Sequence, residues 1–202
     1  MTAIGVGIDT SLTNTGLAAI DAYGNIVLES VPTSGSKDAT LYDRQERLAY
    51  IANTVVDFVR REAGYPPGHD ENTGEYDPVL VCIEAPSYAS RYGAAHDRAG
   101  LWWLIVNVLR MDGYAVALVS PNGRAKYGTG DGRSKKDVVM AHAIERYTDL
   151  LDKWRISNDD EADALILAAM ARRRLGHPVE PVDLPGANLA AMEGVLWPPV
   201  EA

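Results

Sequence analysis

Val79-Leu80-Val81-Cys82-Ile83 is an unbroken apolar run that stops at an acid, Glu84. A strand with one face in water alternates apolar and polar residues. One without alternation is buried on both faces, which demands a sheet covered by helices on both sides. The rest of the chain reads as the parts of such a sheet. Residues 3–9 and 16–22 are apolar strand segments, and Ile26 to Val31 closes a meander across the turn "DAYGN". "YAVALVSP" is a further buried strand, stopped by Pro121. Residues 41–62, 94–112, 135–147 and 159–175 read as helices, with Ser134 and Asp137 spaced as a capping box for the third. This order predicts an α/β chain with a mixed five-stranded sheet flanked by helices on both faces. "GYPPGHDENTGEYDP" (64–78) reads as an inserted loop and "NGRAKYGTGDGRSKK" as a glycine-rich basic loop. Residues 1–176 form the expected domain, and 177–202 an extension with one short helix near 187–195.

Charge narrows the range of partners. The chain carries a net −9, which argues against a generic nucleic-acid binder. The charge is uneven, however. From Ala85 to Lys136 there are eight basic residues against three acids, a local +5, which leaves −14 for the remainder. An acidic protein with one basic segment can still meet a polyanion through that segment. Cys82 is the only cysteine, so neither a disulfide framework nor a thiolate metal cluster is expected. The N-terminus lacks the pattern of a leader, and no apolar run is long enough to span a membrane. The expectation is a soluble protein of a reducing cytoplasm.

Two strands end on acids, "IGVGID" at Asp9 and "VLVCIE" at Glu84. A carboxylate beside a buried sheet costs several kcal/mol unless it is paired or liganded. A third acidic site is "SNDDEADALILAAM", where Asp160 and Asp163 are three apart and project from one helix face. The helix macrodipole accounts for Asp159, Asp160 and Glu161 in the first turn. It does not account for Asp163, nearly a turn further in among apolar neighbours. Four carboxylates with little histidine or cysteine support point to hard cations, Mg²⁺ or Mn²⁺, rather than Zn²⁺. Two such ions about 4 Å apart can activate water and stabilise the leaving oxygen of an in-line phosphodiester attack.

Taken together, "GIDTSLTNTG", "VCIEAPSYAS" and "DEADALILAAM" resemble the three acidic motifs of the RuvC-type Holliday-junction resolvases, within the ribonuclease H-like nucleases. The resemblance runs from about Ile4 to Arg174 in the right order. It implies a ribonuclease H-like fold, metal ligation by Asp9, Glu84, Asp160 and Asp163, and two Mg²⁺ or Mn²⁺ ions. It also implies a homodimer whose two sites cut opposing strands of a four-way DNA junction. Family members place a lysine near the start of the helix after the glycine-rich segment, beside the scissile phosphate. Here the following Asp137-Val138 favours Lys136 for that place, with Lys135 the alternative. Arg91, Arg124, Lys126, Arg133 and Lys135 are the candidate DNA-backbone contacts. The pattern departs at Ser87, where the family has an aromatic that contacts unpaired bases; Tyr88 or Tyr92 is the stacking candidate.

Other functions fit parts of the pattern. A strand followed by Asp9 and small residues also begins the first phosphate loop of actin-like ATPases and sugar kinases. That reading leaves Glu84 and the Asp160/Asp163 pair without a role and needs a second domain. A nuclease of the same superfamily acting on RNA or flap DNA, or a junction-binding protein with a dead site, shares the fold. Of Trp102 and Trp103, adjacent on one helix, one is expected in the core and the other at a dimer contact.

Overall fold

The computed structural model describes residues 3–65, 67–69, 74, 76–86, 94–151, 155–180 and 183–199. Its sheet begins as the expected meander. β1 (Ile4–Asp9), β2 (Asn14–Ile20) and β3 (Ile26–Pro32) pair antiparallel. The Asp21 carboxylate makes the second turn, accepting the backbone N–H of Tyr23 and of Asn25, each at 2.8 Å. β4 (Val79–Glu84) lies parallel to β1 on its other side, and β5 (Ala115–Val119) parallel to β4. The order is β3-β2-β1-β4-β5. The unbroken apolar run is therefore an inner strand, and Leu80 through Ile83 have no solvent exposure.

Strand alternation sorts side chains onto two faces. Ile4, Val6, Ile8, Val79, Val81 and Ile83 pack against α1 (Leu41–Ala63) and α2 (Ala95–Met111). Leu80, Cys82, Ala18 and Ile20 pack on the opposite face. There they meet α3 (Pro121–Thr129), α4 (Lys136–Tyr147) and α5 (Asp159–Arg174). On β1 this second face carries Gly5, Gly7 and then Asp9. The glycines let α5 touch the sheet: a Cβ on Gly7 would stand 1.9 Å from the Ala164 carbonyl oxygen, and one on Gly16 2.0 Å from that of Asp160. Covered by sheet, α3 and α4, α5 buries every residue from Glu161 to Arg172, which is why its sequence shows no polar stripe.

Two local readings change. The segment read as a basic loop opens with the helix α3. Ser120 Oγ accepts the Gly123 N–H at 3.0 Å, Pro121 fills the first helical position, and Gly130 closes the helix at φ 89°. The expected capping box at Ser134 does not form. Lys135 is the N-cap of α4 without a side-chain bond, and Ser134 Oγ is instead 2.8 Å from Thr129 Oγ1. Residues 177–180 and 183–199 pack into the α5 side of the molecule. They form α6 (Gly186–Leu189) and a 3-10 turn at Met192–Gly194, and they bury Leu184, Ala191 and Val195.

Candidate active site

The register puts the two strand-end acids side by side. Ile8 is level with Ile83, so Asp9 and Glu84 leave adjacent parallel strands at the same height. Alternation aims both at the α5 face. α5 starts above this edge because Asn158 caps it, its side chain accepting the Glu161 N–H at 2.9 Å. Glu161 then locks the helix to β3 by accepting the Ser30 hydroxyl at 2.7 Å. The first turn thus sets Asp160 and Asp163 over the ends of β1 and β2. The four predicted acids come together at one end of the sheet.

Arg124, on α3, reaches into this group. Its Nε donates to Glu84 Oε2 at 2.6 Å and its terminal nitrogen to Asp163 Oδ1, and the arginine is 6% exposed. Asp163 is 1% exposed, and its second carboxylate oxygen, Oδ2, is buried with no hydrogen-bond partner. Asp160 accepts from the Asn14 amide at 2.8 Å, and Lys136 Nζ stands 3.6 Å from it and 2.6 Å from Asp159. Trp102 fixes the Glu84 backbone, its indole N–H donating to the Glu84 carbonyl at 3.0 Å.

The site is electrostatically expensive. Burial, then the charges of Glu84 and Asp163, push the Asp9 pKa well above the usual carboxylate range. Burial pushes Asp163 up to about 7 from 3.8, against the pull of Arg124. For Lys136, burial works against the ammonium, but Asp159 and Asp160 outweigh it and the pKa ends above the usual value. A carboxylate whose folded-state pKa is raised stabilises the fold while protonated and loses that contribution as pH rises through the folded value. The metal-free protein is therefore expected to lose stability between about pH 4 and 7 relative to Asp163→Asn, which cannot ionise there. Thermal melts of both proteins in chelator, from pH 5 to 8, check this. Parallel curves would contradict it.

This donor set fits a hard divalent cation. It offers carboxylate oxygens from three elements, and the orphaned Asp163 Oδ2 is a buried acceptor awaiting a positive partner. Among the described residues no three acids are already drawn together as a ligand group. Arg124 instead bridges Glu84 and Asp163.

The basic candidates divide. Lys135, Lys136 and Arg133 are exposed at the start of α4 and in the turn before it, and Lys126 is half-buried on α3. Arg124 is the exception: it is buried in ion pairs with acids and presents no outward surface. Tyr88, Tyr92 and Arg91 lie outside the described residues. Asn14 was missed as a site residue because it reads as a turn residue; the only sequence signal is its place five residues after Asp9.

No protein-family model matches the sequence, and no curated protein matches it. Solved structures do. The chain is similar to Thermus thermophilus RuvC in complex with a Holliday-junction substrate, at 19% identity and a TM-score of 0.59, over 86% of this chain and 96% of that one. It is similar to a second Thermus thermophilus RuvC structure at 20% identity and a TM-score of 0.58, over 89% and 99% of the two chains. At this identity the likeness shows the fold: the mixed sheet and its helices have the RuvC-type, ribonuclease H-like arrangement.

Proposed function

We propose that this chain is a divalent-metal-dependent DNA endonuclease that resolves four-way junctions by paired nicks. The observation that carries the reading is that β1, β4 and α5 bring Asp9, Glu84, Asp160 and Asp163 to one end of the sheet, where Asp163 Oδ2 is buried without a hydrogen-bond partner. A phosphotransferase reading gives the α5 pair no task. In the proposed enzyme those four carboxylates hold Mg²⁺ or Mn²⁺, two ions per site. When bound, the ions supply a nucleophilic water at neutral pH and positive charge for the developing phosphate oxyanions. Asn14 orients Asp160, and Trp102 orients Glu84 through its backbone. Lys136, on the solvent side of the acids, is placed to neutralise the scissile phosphate. Lys126, Arg133 and Lys135 are assigned to contacts with the DNA backbone, which give position without sequence information.

A four-way junction presents strands in pairs, so paired cleavage calls for two sites. The α1–α2 face suits a second copy. Between these helices Leu41, Leu48, Ala52, Val56, Leu104 and Val108 line a groove of about 340 Å³. Elsewhere on α2, Trp103 is 64% exposed, edge-on to buried Trp102 at 4.8 Å. Among the described residues no helix is long and apolar enough to cross a membrane. The bacterial cytoplasm, with or without an infecting phage, is the proposed setting.

The test is incubation of the purified chain with a synthetic four-way junction and Mg²⁺, beside flap, fork and linear duplex. Symmetric nicks in opposing strands, with little cleavage of linear duplex, are expected. No cleavage of any branched substrate would overturn the reading.

A further inference from the structure

Among the acids of the site stands a buried charge that the nuclease mechanism does not use. Arg124 carries its guanidinium into the middle of the acids, where ordinary design would leave room for metal. It satisfies Glu84 Oε2 and Asp163 Oδ1 from two different nitrogens, and it is as buried as the acids themselves. Asp163 Oδ2 is left over. Lys136 differs in kind: its side chain is 62% exposed and it pairs with Asp159 at the rim.

Two carboxylates from different elements, β4 and α5, would repel if nothing stood between them. A cation is therefore needed to hold this end of the sheet together before any metal arrives. Arginine suits that task, since its planar fork serves two carboxylates at once and it does not lose its proton. A dication bound to the same oxygens meets a fixed positive charge at contact distance, with little water between to screen it. Full metal occupancy and the ion pairs seen here therefore oppose each other.

Resting on the nuclease reading, we propose that Arg124 is a resident counter-cation of the site. It holds Glu84 and Asp163 together in the metal-free protein and competes with a divalent cation for them. At sub-saturating metal, the full complement then enters when a phosphate draws the guanidinium off the acids; excess divalent cation alone displaces it only at high concentration. Phosphate is a competent lure, because it accepts the same bidentate fork. α3 is suited to the exchange: Arg124 lies one turn from its N-terminus, so a rotamer change moves the charge without moving the helix. The consequence is an enzyme whose metals assemble on DNA rather than before it, which limits stray cleavage.

The test reads metal binding directly, without cleavage. Mn²⁺ titrations followed by electron paramagnetic resonance are run on wild type, Arg124→Met and Arg124→Lys, in the absence of DNA. Wild type is expected to bind weakly, with fewer than two ions per chain. Arg124→Met should bind at least tenfold tighter and approach two, and Arg124→Lys, a single point charge, should fall between. Equal or weaker binding by a folded Arg124→Met overturns the proposal. Should that variant fail to fold without metal, wild type alone decides. The Arg124 Nε–H signal in nitrogen-15 spectra, assigned by its loss in Arg124→Lys, must shift or broaden on adding Mg²⁺. A signal unmoved by saturating Mg²⁺ overturns the proposal. Failure of the nuclease reading is distinguishable, because a protein that cuts no junction can still show or lack the metal competition.

Discussion

Asp9→Asn is expected to remove junction cleavage while raising the melting temperature of the metal-free protein. The two effects share one cause. Asp9 is 7% exposed, and its charged form is opposed by burial and by Glu84, Asp163 and Asp160, with only Arg124 pulling the other way. At neutral pH an amide relieves that strain, and each kcal/mol gained moves the melting temperature by about 2–4 °C in a chain of this size. The same amide is a poor ligand for a hard dication. Losing a metal-held transition-state interaction of several kcal/mol lowers the rate by about 10³-fold or more. Single-turnover cleavage of a four-way junction and thermal melts in chelator at pH 8 measure the pair of effects. A variant that melts lower than wild type would show that the neighbouring acids do not burden Asp9. One that still cuts would remove it from the chemistry.

Gly7→Val should be the most damaging single change outside the acids. A Cβ at Gly7 falls 1.9 Å from the Ala164 carbonyl oxygen and 2.5 Å from the Ala168 nitrogen, both backbone atoms of α5. No rotamer escapes such a contact, so the helix must lift off β1. Overpacking of this kind costs about 1–3 kcal/mol and more where backbone must move. A two-branched side chain at the tightest helix–sheet contact belongs at the upper end or beyond. α5 carries Asp160 and Asp163, so displacement also spoils the site. Chemical denaturation is expected to show a lower midpoint, and cleavage should fall in whatever protein remains folded. Gly24→Ala is the control: no atom lies within 4 Å of a Cβ there, so its cost is only that of a residue at φ 91°. Equal effects at the two positions would mean that the Gly7 contact is not what holds α5.

The strands were legible because burial on both faces leaves a plain mark, an apolar run without alternation. The acids were legible because each breaks such a mark: Asp9 and Glu84 end buried strands, and Asp163 sits among alanines and leucines. α3 was not, since Gly123, Gly128 and the basic Arg124 and Lys126 hide a helix whose only signals are Ser120-Pro121 at one end and Gly130 at the other. The residues that seat the acids were not legible either. Asn14 reads as a turn residue and Glu161 as a helix-dipole acid, yet one holds Asp160 and the other ties α5 to Ser30.

The sequence by itself determined that Asp9 and Asp163 carry negative charge into the interior, because patterning and polarity are properties of consecutive residues. Only the tertiary structure decided what answers that charge. Arg124 lies 40 positions from Glu84 and 39 from Asp163, and nothing local distinguishes it from the other cations of its segment. Its selection is geometric. α3 folds back over the strand ends at the height where β1, β4 and α5 converge, and of its basic residues only Arg124 faces inward. The three glycines on β1 and β2 act in the same way. Read along the chain they are small residues in strands; against α5 they set the distance at which four carboxylates meet.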